Sequence, residues 1–575
     1  MANGFGSFYV GNSGLQSSQN ALNVTANNLA NVDTTGYVRE QVRFADKTYI
    51  TRVAATTSTN GQQNGLGVSI GDVAHAREIF LDKTYRQENG RKSFYETSYE
   101  STSYVEDILQ ELDGQEFKTS VEDFWQSFQE LAKDPTNSTN QNLILQKAEL
   151  LVSRSTSVYS DLQKYQSNIN DQIQSEVSRI NEIGARIYEI NLEVQKVEST
   201  GIETAMTLRD ERDALIDELS SYVKIDVKED STGFDYISVE GVPLIDDYRS
   251  NTIELQRDPK TGFYFPYWSQ LSDSDTNKYQ YVFNVGADIT TDSTGKMTYD
   301  QAEVPITIST EGNTDIGSLY ALMLARGYNY GEAEDMLPEN YSSIEDNVVM
   351  ETEAEIAYLF KSIITSVNDT LCPNTTYTAS DGTEYTVLDT DNCGVGSDGN
   401  LPPQELFVRQ GYDRYTEMQI DGQTFYVYNE EDPDNKNTWY ELSNIAVNSV
   451  ISKEVTKLPT YTQNGADNYA VAQALVDIWS NENLTIDPND TSPCNFENYY
   501  NKIVDKLGNS GTVYNTAVTT LDSTITSIES QRQQIIGVSS DEELTNMVKF
   551  QSAYNAASRY ITVIAEMTDV IVGLI

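Results

Sequence analysis

Few residues of this chain have the types and spacing that catalysis requires. The single histidine, His75, stands between Ala74 and Ala76, and no HExxH surrounds it. Most hydrolytic metal sites and base-activated nucleophiles use at least one histidine. GxSxG and P-loop motifs are also absent from the sequence. We therefore predict a non-enzymatic chain without catalytic residues or cofactor, in which His75 is an ordinary surface or packed side chain.

One segment begins like a calcium-binding loop. Asp273, Asp275 and Asn277 have the spacing of the first EF-hand ligands, but Lys278 stands where Gly is expected and no Glu closes the loop. Carboxylate pairs are abundant throughout this acidic chain and select no position. We predict no metal site, and calcium at Asp273 remains as the alternative.

The three cysteines do not have the spacing of a zinc site or a redox pair. An odd count, Cys372, Cys393 and Cys494, does not indicate a disulfide framework. Cys372 and Cys393 could pair in an extracellular protein, and the sequence alone does not decide this.

The charge balance excludes several classes of partner. Lys and Arg total 38 against 88 Asp and Glu, a formal net charge of −50. Nucleic acids and anionic membranes are themselves negative, so neither is an expected partner. No apolar run reaches the roughly 18–20 residues that a membrane span needs. A cleaved signal peptide is not expected, because no basic stretch precedes an apolar one. The charge itself favours solubility and spacing between subunits.

The two ends of the chain differ from the acidic middle. Residues 1–38 carry one charged side chain, Asp33, and 545–575 is neutral. Both ends show apolar residues at heptad or 3–4 spacing, which predicts helices that must pack on a partner. We expect Gly36 to stop the first helix and Ser540 to cap the last. The predicted assembly positions are Leu15, Leu22, Ala26, Leu29, Met547, Phe550, Tyr554, Ala557, Ile561, Ile564 and Ile571.

A longer apolar seam predicts an unusually long helix at about 140–199. Ile173, Ile180, Ile187 and Val194 repeat every seven residues, and Glu176 is the polar member of the neighbouring register. About sixty helical residues would span on the order of 90 Å, which suggests an elongated molecule. Further helices are expected at 94–132, 316–326, 351–370 and from 468 onwards.

Two stretches change to short β segments. Hairpin turns are predicted at Glu240-Gly241 and Asp421-Gly422. The predicted fold class is mainly α with β inserts (α+β), an elongated multi-domain subunit with a long-helix bundle and outward β-rich inserts. Its terminal helices would pair as a coiled coil. The predicted domains are 1–45 with 540–575 (terminal coiled coil), 46–225 with 313–371 and 466–539 (helical bundle), 226–312 (β insert) and 372–465 (β insert).

Both ends resemble axial proteins of the bacterial flagellum. Residues 26–37, ANNLANVDTTGY, are similar to the terminal signature of rod, hook and hook-associated proteins, and 550–571 resembles their closing helix. Arg39, the helix LRDERDALIDEL at 208–219 and ESQRQQIIGVSSDEE at 529–543 resemble the FlgK family of hook–filament junction proteins. We expect the charges of 208–219 to face solvent rather than form ion pairs.

The resemblance implies a structural role and a set of partners. It implies self-association into a tubular layer, resting on hook protein and carrying hook-associated protein 3. It also implies delivery by an export chaperone and the flagellar type III export apparatus, so that the protein is secreted to the flagellum without a cleaved signal peptide. The alternatives are hook protein itself, another axial protein, or a junction protein whose β inserts bind glycan through Tyr264, Tyr267 and Trp268.

Overall fold

A computed structural model places the chain in two compact units. It describes residues 2–34, 37–47, 50–52, 62–75, 78–110, 117–199, 204–284, 287–292, 296–301, 308–432, 435–488 and 492–573. Unit 1 comprises Met1–Ser93, Ser178–Thr252 and Val518–Ile575, and unit 2 comprises Phe94–Val177 and Ile253–Ala517. The two units are defined by compactness alone. The four domains predicted from the sequence, with their boundaries, stay a prediction.

The α-helices form most of the described structure. In chain order they are α1 (Ala2–Ala30), α2 (Ile79–Gln110), α3 (Phe117–Lys133), α4 (Ser138–Glu198), α5 (Met206–Tyr222), α6 (Ser318–Arg326), α7 (Val348–Leu371), α8 (Ser449–Lys453), α9 (Tyr469–Asp477), α10 (Phe496–Ile536) and α11 (Ser540–Gly573).

The strands are short and lie in small antiparallel sheets. They are β1 (Glu40–Asp46), β2 (Ile50–Arg52), β3 (Gln62–Asn64), β4 (Val68–His75), β5 (Ile225–Glu229), β6 (Asp235–Val239), β7 (Val242–Ile245), β8 (Ile253–Arg257), β9 (Tyr264–Trp268), β10 (Ala287–Thr291), β11 (Met297–Gln301), β12 (Asn374–Thr378), β13 (Glu384–Leu388), β14 (Phe407–Arg409), β15 (Tyr415–Ile420), β16 (Gln423–Tyr428) and β17 (Ile445–Val447). The largest sheets are β5-β6-β7 in unit 1 and β12-β13-β16-β15 in unit 2. The fold is therefore mainly helical with β inserts, as the sequence predicts.

The long apolar seam forms one helix. Helix α4 runs from Ser138 to Glu198, and its predicted seam residues Ile173, Ile180 and Ile187 are fully buried. Both predicted hairpins form, since β6 and β7 meet at Glu240-Gly241 and β15 and β16 at Asp421-Gly422. All four turn residues have positive φ, as a two-residue type I′ connection requires.

Several predicted helix boundaries are wrong. Helix α1 ends at Ala30, not at Gly36, which lies outside the described residues. The reason is local, because the Asn31 side chain donates to the carbonyl of Asn27 at 3.0 Å and competes with continued helix. The stretch predicted at 94–132 begins at Ile79 and is divided into α2 and α3. The sequence also predicts separate helices at 499–507 and 513–535, but the structure has the single helix α10 there.

The interior of unit 2 contains charged side chains together with the apolar ones. Helix α6 is buried along its whole length, and its last residue, Arg326, is fully enclosed. The Arg326 guanidinium donates to Asn170 Oδ1 at 2.7 Å and to the carbonyl of Tyr264 at 2.8 Å. Burial lowers the pKa of Arg326 to about 9.

A second buried charge in unit 2 is shared between helices. Lys506 on α10 contacts the carboxylates of Glu351 and Glu355 on α7, the latter at 3.1 Å. Burial raises the pKa of Glu351 to about 8, and the nearby Lys506 opposes that rise. Paired in this way, the three groups avoid the large cost of isolated buried charges.

The charges of helix α5 contradict the prediction that they face solvent. Arg212 is 2% exposed, and it contacts Asp235 at 2.8 Å and Asn191 Oδ1 at 2.8 Å. Arg209 forms two hydrogen bonds with the Glu198 carboxylate, each 2.8 Å long. These residues join α5 to α4 and β6 within unit 1, because a planar guanidinium can satisfy several acceptors at once.

Candidate assembly interface

Helix α1 contains no charged residue. It has no acidic residue in its first turn and no basic residue in its last. Ser18 and Thr25 donate to the carbonyls four residues earlier, Gly14 and Ala21, at 2.7 and 2.9 Å. Their hydroxyls are thereby satisfied inside the helix, so one face of α1 can lie against an apolar neighbour without leaving donors unpaired.

The two terminal helices pack directly against each other within unit 1. Gly11 and Gly14 of α1 lie at the contact. A Cβ atom at Gly11 would lie 2.7 Å from Ile561 Cγ1, and one at Gly14 would lie 3.6 Å from Ala557 Cβ. Contact at Gly11 is therefore too close for any larger residue, and small residues allow this approach of two helix backbones.

The predicted assembly positions lie mainly along this helix pair. Apart from Ala26 and Ile571, their side chains are half-buried, at Leu15, Leu22, Leu29, Met547, Phe550, Tyr554, Ala557, Ile561 and Ile564. Ala26 is exposed, and the side chain of Ile571 lies outside the described residues. Whether these positions serve contacts between subunits stays a prediction.

A second apolar face on α11 was not predicted. Val563, Met567 and Val570 are 51%, 58% and 64% exposed, and we call these three residues the outer stripe. Their spacing of four and three residues places them on one side of the helix, roughly opposite Ala557 and Ile561. The spacing was visible in the sequence, but periodicity alone does not show which of two apolar lines the partner helix covers. Contiguous exposed apolar side chains indicate an interaction surface.

The signature 26–37 works as a structural clasp. Asn28 is 1% exposed, and its Oδ1 accepts from the Tyr37 hydroxyl at 2.8 Å and from the Glu40 amide at 3.0 Å. Its Nδ2 donates to the Glu40 carbonyl at 2.9 Å. One buried side chain thus fixes how the chain turns from α1 into β1.

Arg39 ties the beginning of the chain to the beginning of α11. Its guanidinium contacts Glu542 at 2.9 Å and Glu543 at 2.8 Å, and its amide donates to the Ile536 carbonyl at 2.9 Å. Both acids lie in the first turn of α11, where negative charge also favours the helix dipole. This contact explains an Arg two residues after Tyr37.

The cap of α11 lies one residue before the predicted position. Ser539, not Ser540, accepts from the Glu542 amide through its hydroxyl at 3.4 Å, and its carbonyl accepts from the Glu543 amide at 2.9 Å. Ser540 is the first helical residue. In a Ser-Ser pair, sequence alone does not distinguish the cap from the residue that follows it.

Strands β1 and β4 form a ribbon beside the terminal pair. Phe44 of β1 packs edge-to-face on Phe550 of α11, with ring centroids 5.9 Å apart. The Val68 amide of β4 donates to Ser13 Oγ at 3.3 Å, and Ser17 Oγ donates to the Val68 carbonyl at 3.3 Å. Two strands of unit 1 therefore contact the terminal helices, β1 at α11 and β4 at α1.

The segments considered for other chemistry have structural explanations. Asp273 accepts from the Asp275 amide at 3.0 Å and from Thr276 Oγ1 at 2.8 Å, so its carboxylate closes a turn. Trp268 is 1% exposed and Tyr267 9%, which leaves neither ring open for stacking on a sugar. His75 pairs with Glu40 through the β1–β4 ladder, and its side chain lies outside the described residues.

A cluster of three carboxylates in unit 2 has the spacing to hold a cation. Oxygen atoms of Glu332, Glu334 and Glu441 lie within 4.8 Å of one another. Lys436 contacts Glu332, and Lys361 contacts Glu334 at 2.6 Å. Two lysine side chains of the chain itself thus already balance these carboxylates, so the cluster is explained as an ion-pair network.

Three family models match parts of the chain. The model of the flagellar basal body rod protein matches residues 8–37, and that of the C-terminal region of the basal body rod FlgEFG proteins matches 518–574. The model of the flagellar hook-associated protein FlgK helical domain matches 102–371. The two rod-protein matches cover α1 and α11, the helices that pack on each other.

Relatives match along almost the whole chain. Flagellar hook-associated protein 1 of Bacillus subtilis is 24% identical over 97% of this chain and 96% of its own. That of Salmonella typhimurium is 23% identical over 98% of both chains. The solved structure of the flagellar hook junction protein FlgK from Burkholderia pseudomallei has 11% identity and a TM-score of 0.51, covering 78% of this chain and 99% of that one. This last likeness concerns the fold.

Paired terminal helices that match rod-protein models at both ends define an axial subunit of the bacterial flagellum. Within that class, the chain is similar over almost its whole length to flagellar hook-associated protein 1, and its residues 102–371 match the model of the FlgK helical domain. It is a structural component of the flagellum, and the matches at its ends support self-assembly within the axial structure. No helix among the described residues has the length and apolar character needed to span a bilayer.

Proposed function

We propose that this chain forms the junction layer between hook and filament, by lateral self-association of its terminal and helical regions. Hook protein lies below this layer and hook-associated protein 3 above it. The chain reaches the site through an export chaperone and the flagellar export apparatus, without a cleaved signal peptide. The observation that carries the proposal is the outer stripe, an exposed apolar face on a helix pair that is already closed within the chain.

Burial of the outer stripe supplies a driving force for association. Fully burying a Val or Met side chain contributes about 1.5–3 kcal/mol, and Val563, Met567 and Val570 are each more than half exposed. In an axial assembly every subunit repeats this contribution with its neighbours. The stripe therefore favours a second copy of the chain as its partner.

Local neutrality makes this approach possible despite the charge of the whole chain. The net charge of −50 opposes close contact between copies at most surfaces. Helix α11 beyond residue 545 has two basic residues, Lys549 and Arg559, and two acidic ones, Glu566 and Asp569. Copies can meet along this segment without net repulsion.

The test is a single charge placed on the outer stripe. We expect Val570→Asp to abolish junction formation, because a carboxylate buried between copies has no partner. The variant is expressed in a strain lacking the chromosomal copy, and electron microscopy scores hooks with and without filaments. Circular dichroism of the purified variant should match the wild type, because Val570 is exposed in the monomer.

The matched control is Thr562→Asp. Thr562 shares the polar line of α11 with Glu566 and Asp569, four and seven residues further on, so the same charge faces away from the outer stripe. We expect Thr562→Asp to support normal filaments. Normal filaments with Val570→Asp would show that the outer stripe takes no part in assembly. Loss of hooks themselves in the deletion strain would instead favour hook protein.

A further inference from the structure

Two of the three cysteines lie at the same end of one strand pair in unit 2. Cys372 follows α7 directly, and the β12–β13 ladder begins two residues later with Asn374 opposite Leu388. The Asp389 amide extends that ladder by donating to the Pro373 carbonyl at 2.8 Å. Cys372 is therefore the next residue beyond the last ladder bond.

A tight turn brings Cys393 back to that position. The Cys393 amide donates to the Asp389 carbonyl at 3.0 Å, and its sulfur lies 3.7 Å from the Thr390 carbonyl oxygen. Continuing the register of the ladder by two residues places Thr390 opposite Cys372. Both cysteines are buried, since Cys372 is 0% exposed and Cys393 is 4% exposed.

Burial raises the pKa of both thiols. Cys393 is among the neighbouring groups that raise the pKa of the Cys372 thiol further, while Arg414 opposes the rise. The third cysteine lies elsewhere in unit 2, since Cys494 pairs through its backbone with Leu484, and its sulfur contacts the Leu484 carbonyl at 3.3 Å. None of the three forms a disulfide in this structure.

We propose that Cys372 and Cys393 form a disulfide when the chain folds outside the reducing cytoplasm, while Cys494 stays a thiol. The pairing is a property of this fold, and its occurrence in the cell rests on the proposed export. The oxidant is a low-molecular-weight disulfide. One cysteine thiolate attacks it and displaces one small thiol, and the second thiolate attacks the mixed disulfide and displaces the other. Two protein thiols are oxidised and one small disulfide is reduced to two thiols.

The bond forms during folding rather than afterwards. A buried thiol with a raised pKa supplies little thiolate, so exchange in the folded protein is slow. During export and refolding both sulfurs are accessible, and the β12–β13 register then holds them together. The bond would restrain the loop between the two cysteines and stabilise unit 2 against unfolding.

Thiol mapping of the full-length wild-type chain tests the proposal. The chain is unfolded in guanidinium, refolded with 2-hydroxyethyl disulfide, and alkylated with iodoacetamide in denaturant without reductant. Mass spectrometry of the digest should show the Cys372 and Cys393 peptides linked, with a mass lower than their sum by about 2 Da. The Cys494 peptide should be alkylated. Three alkylated cysteines, a link through Cys494 or a link between chains would each overturn the proposal.

A variant and a native sample complete the test. Cys494→Ser should give the same link, and dithiothreitol should lower the midpoint of thermal unfolding by about 5 °C in this variant. Protein sheared from intact flagella, alkylated at once, should carry the same link. Thiols in that sample would refute the bond in the cell without affecting the junction role, which is scored by filaments and not by thiol state.

Discussion

The interior of unit 2 and the terminal helix pair of unit 1 solve the burial problem in opposite ways. In unit 2, even charged groups such as Arg326 and Glu355 are enclosed and paired by other parts of the same chain. In the terminal pair, the residues of α11 that face α1 are only half-buried, and the outer stripe is mostly exposed. Unit 2 is therefore completed by folding, whereas the terminal pair is left to be completed by assembly.

Partial burial suits terminal helices that make their final contacts only after export. Helical stability comes chiefly from packing an apolar face, so a pair with one covered face gains only part of the possible free energy. Ordering the ends therefore depends on neighbours in a way that unit 2 does not. In the single chain, the clasp at Asn28 and the Arg39 contacts position the terminal helices. The outer stripe stays exposed until a second copy packs against it.

The largest effect that separates the two regions is expected from removing both ends. A chain lacking residues 2–34 and 540–573 should fail completely to support filaments. Its cooperative unfolding transition from unit 2 should persist, because no buried residue of unit 2 belongs to the deleted segments. Complementation of a deletion strain and thermal circular dichroism measure the two results. Filament growth from the truncated chain would contradict the proposed role of the ends.

Within unit 2, removing a buried charge should cost much more than removing an exposed one. Arg326→Ala leaves the Tyr264 carbonyl without its donor and opens a cavity between Phe263 and Phe265, whose rings lie 4.7 and 5.0 Å from the guanidinium. We expect the free energy of unfolding to fall by about 3 kcal/mol. Denaturant titration of the full chain measures it.

Lys164 supplies the control for Arg326. It forms an exposed ion pair with Asp161 on α4, and their side chains are 73% and 47% exposed. Lys164→Ala should change the free energy of unfolding by less than about 0.5 kcal/mol. Similar losses for both variants would show that Arg326 is not enclosed as described.

A smaller effect should come from the incompletely satisfied acid on the α4 seam. Glu176 accepts from Ser318 Oγ at 2.9 Å, and burial raises its pKa from 4.5 to about 7. The folded chain holds this proton more tightly than the unfolded chain, so stability falls as pH rises from about 4.5 to 7. At pH 8, the free energy of unfolding of Glu176→Gln should therefore be about 2 kcal/mol higher than that of the wild type.

The pH profile distinguishes this cause from a general effect of the substitution. At pH 4 both chains have a neutral side chain at position 176, so their stabilities should agree within error. Glu149→Gln, at an exposed position of α4 in unit 2, should leave the profile unchanged. A wild-type advantage at pH 8 would mean that the Glu176 carboxylate is stabilised in the folded chain.

The helical framework was the most predictable part of the fold. The α4 seam repeats at helical spacing over many turns, and the Asp-Gly and Glu-Gly turns have a specific backbone requirement, so both could be placed from the sequence. Helix ends were less predictable, because Asn31 and Ser539 act through side-chain bonds to nearby backbone that several neighbouring residues could also have made.

The candidate interface was predictable in type but not in orientation. Apolar lines on α11 identify a helix that needs a partner, but they do not state which line α1 covers. The role of Arg212 was missed for a related reason, since its acceptors Asn191 and Asp235 are distant in sequence. Contacts that depend on tertiary placement leave no local pattern.

The smallest predicted effect examines how firmly the single chain holds its terminal pair. Asn28→Ala removes three hydrogen bonds to Tyr37 and Glu40, each between 2.8 and 3.0 Å. Because water can reach this clasp once it opens, we expect a local loss of about 1 kcal/mol. Hydrogen exchange of the Glu40 amide should accelerate about fivefold, while amides of α7 in unit 2 keep their rates. Asn23→Ala, at an exposed position of α1, should leave both unchanged. Equal acceleration in α7 would mean that the ends and unit 2 unfold together, and the contrast between an assembly-completed pair and a self-completed interior would then be lost.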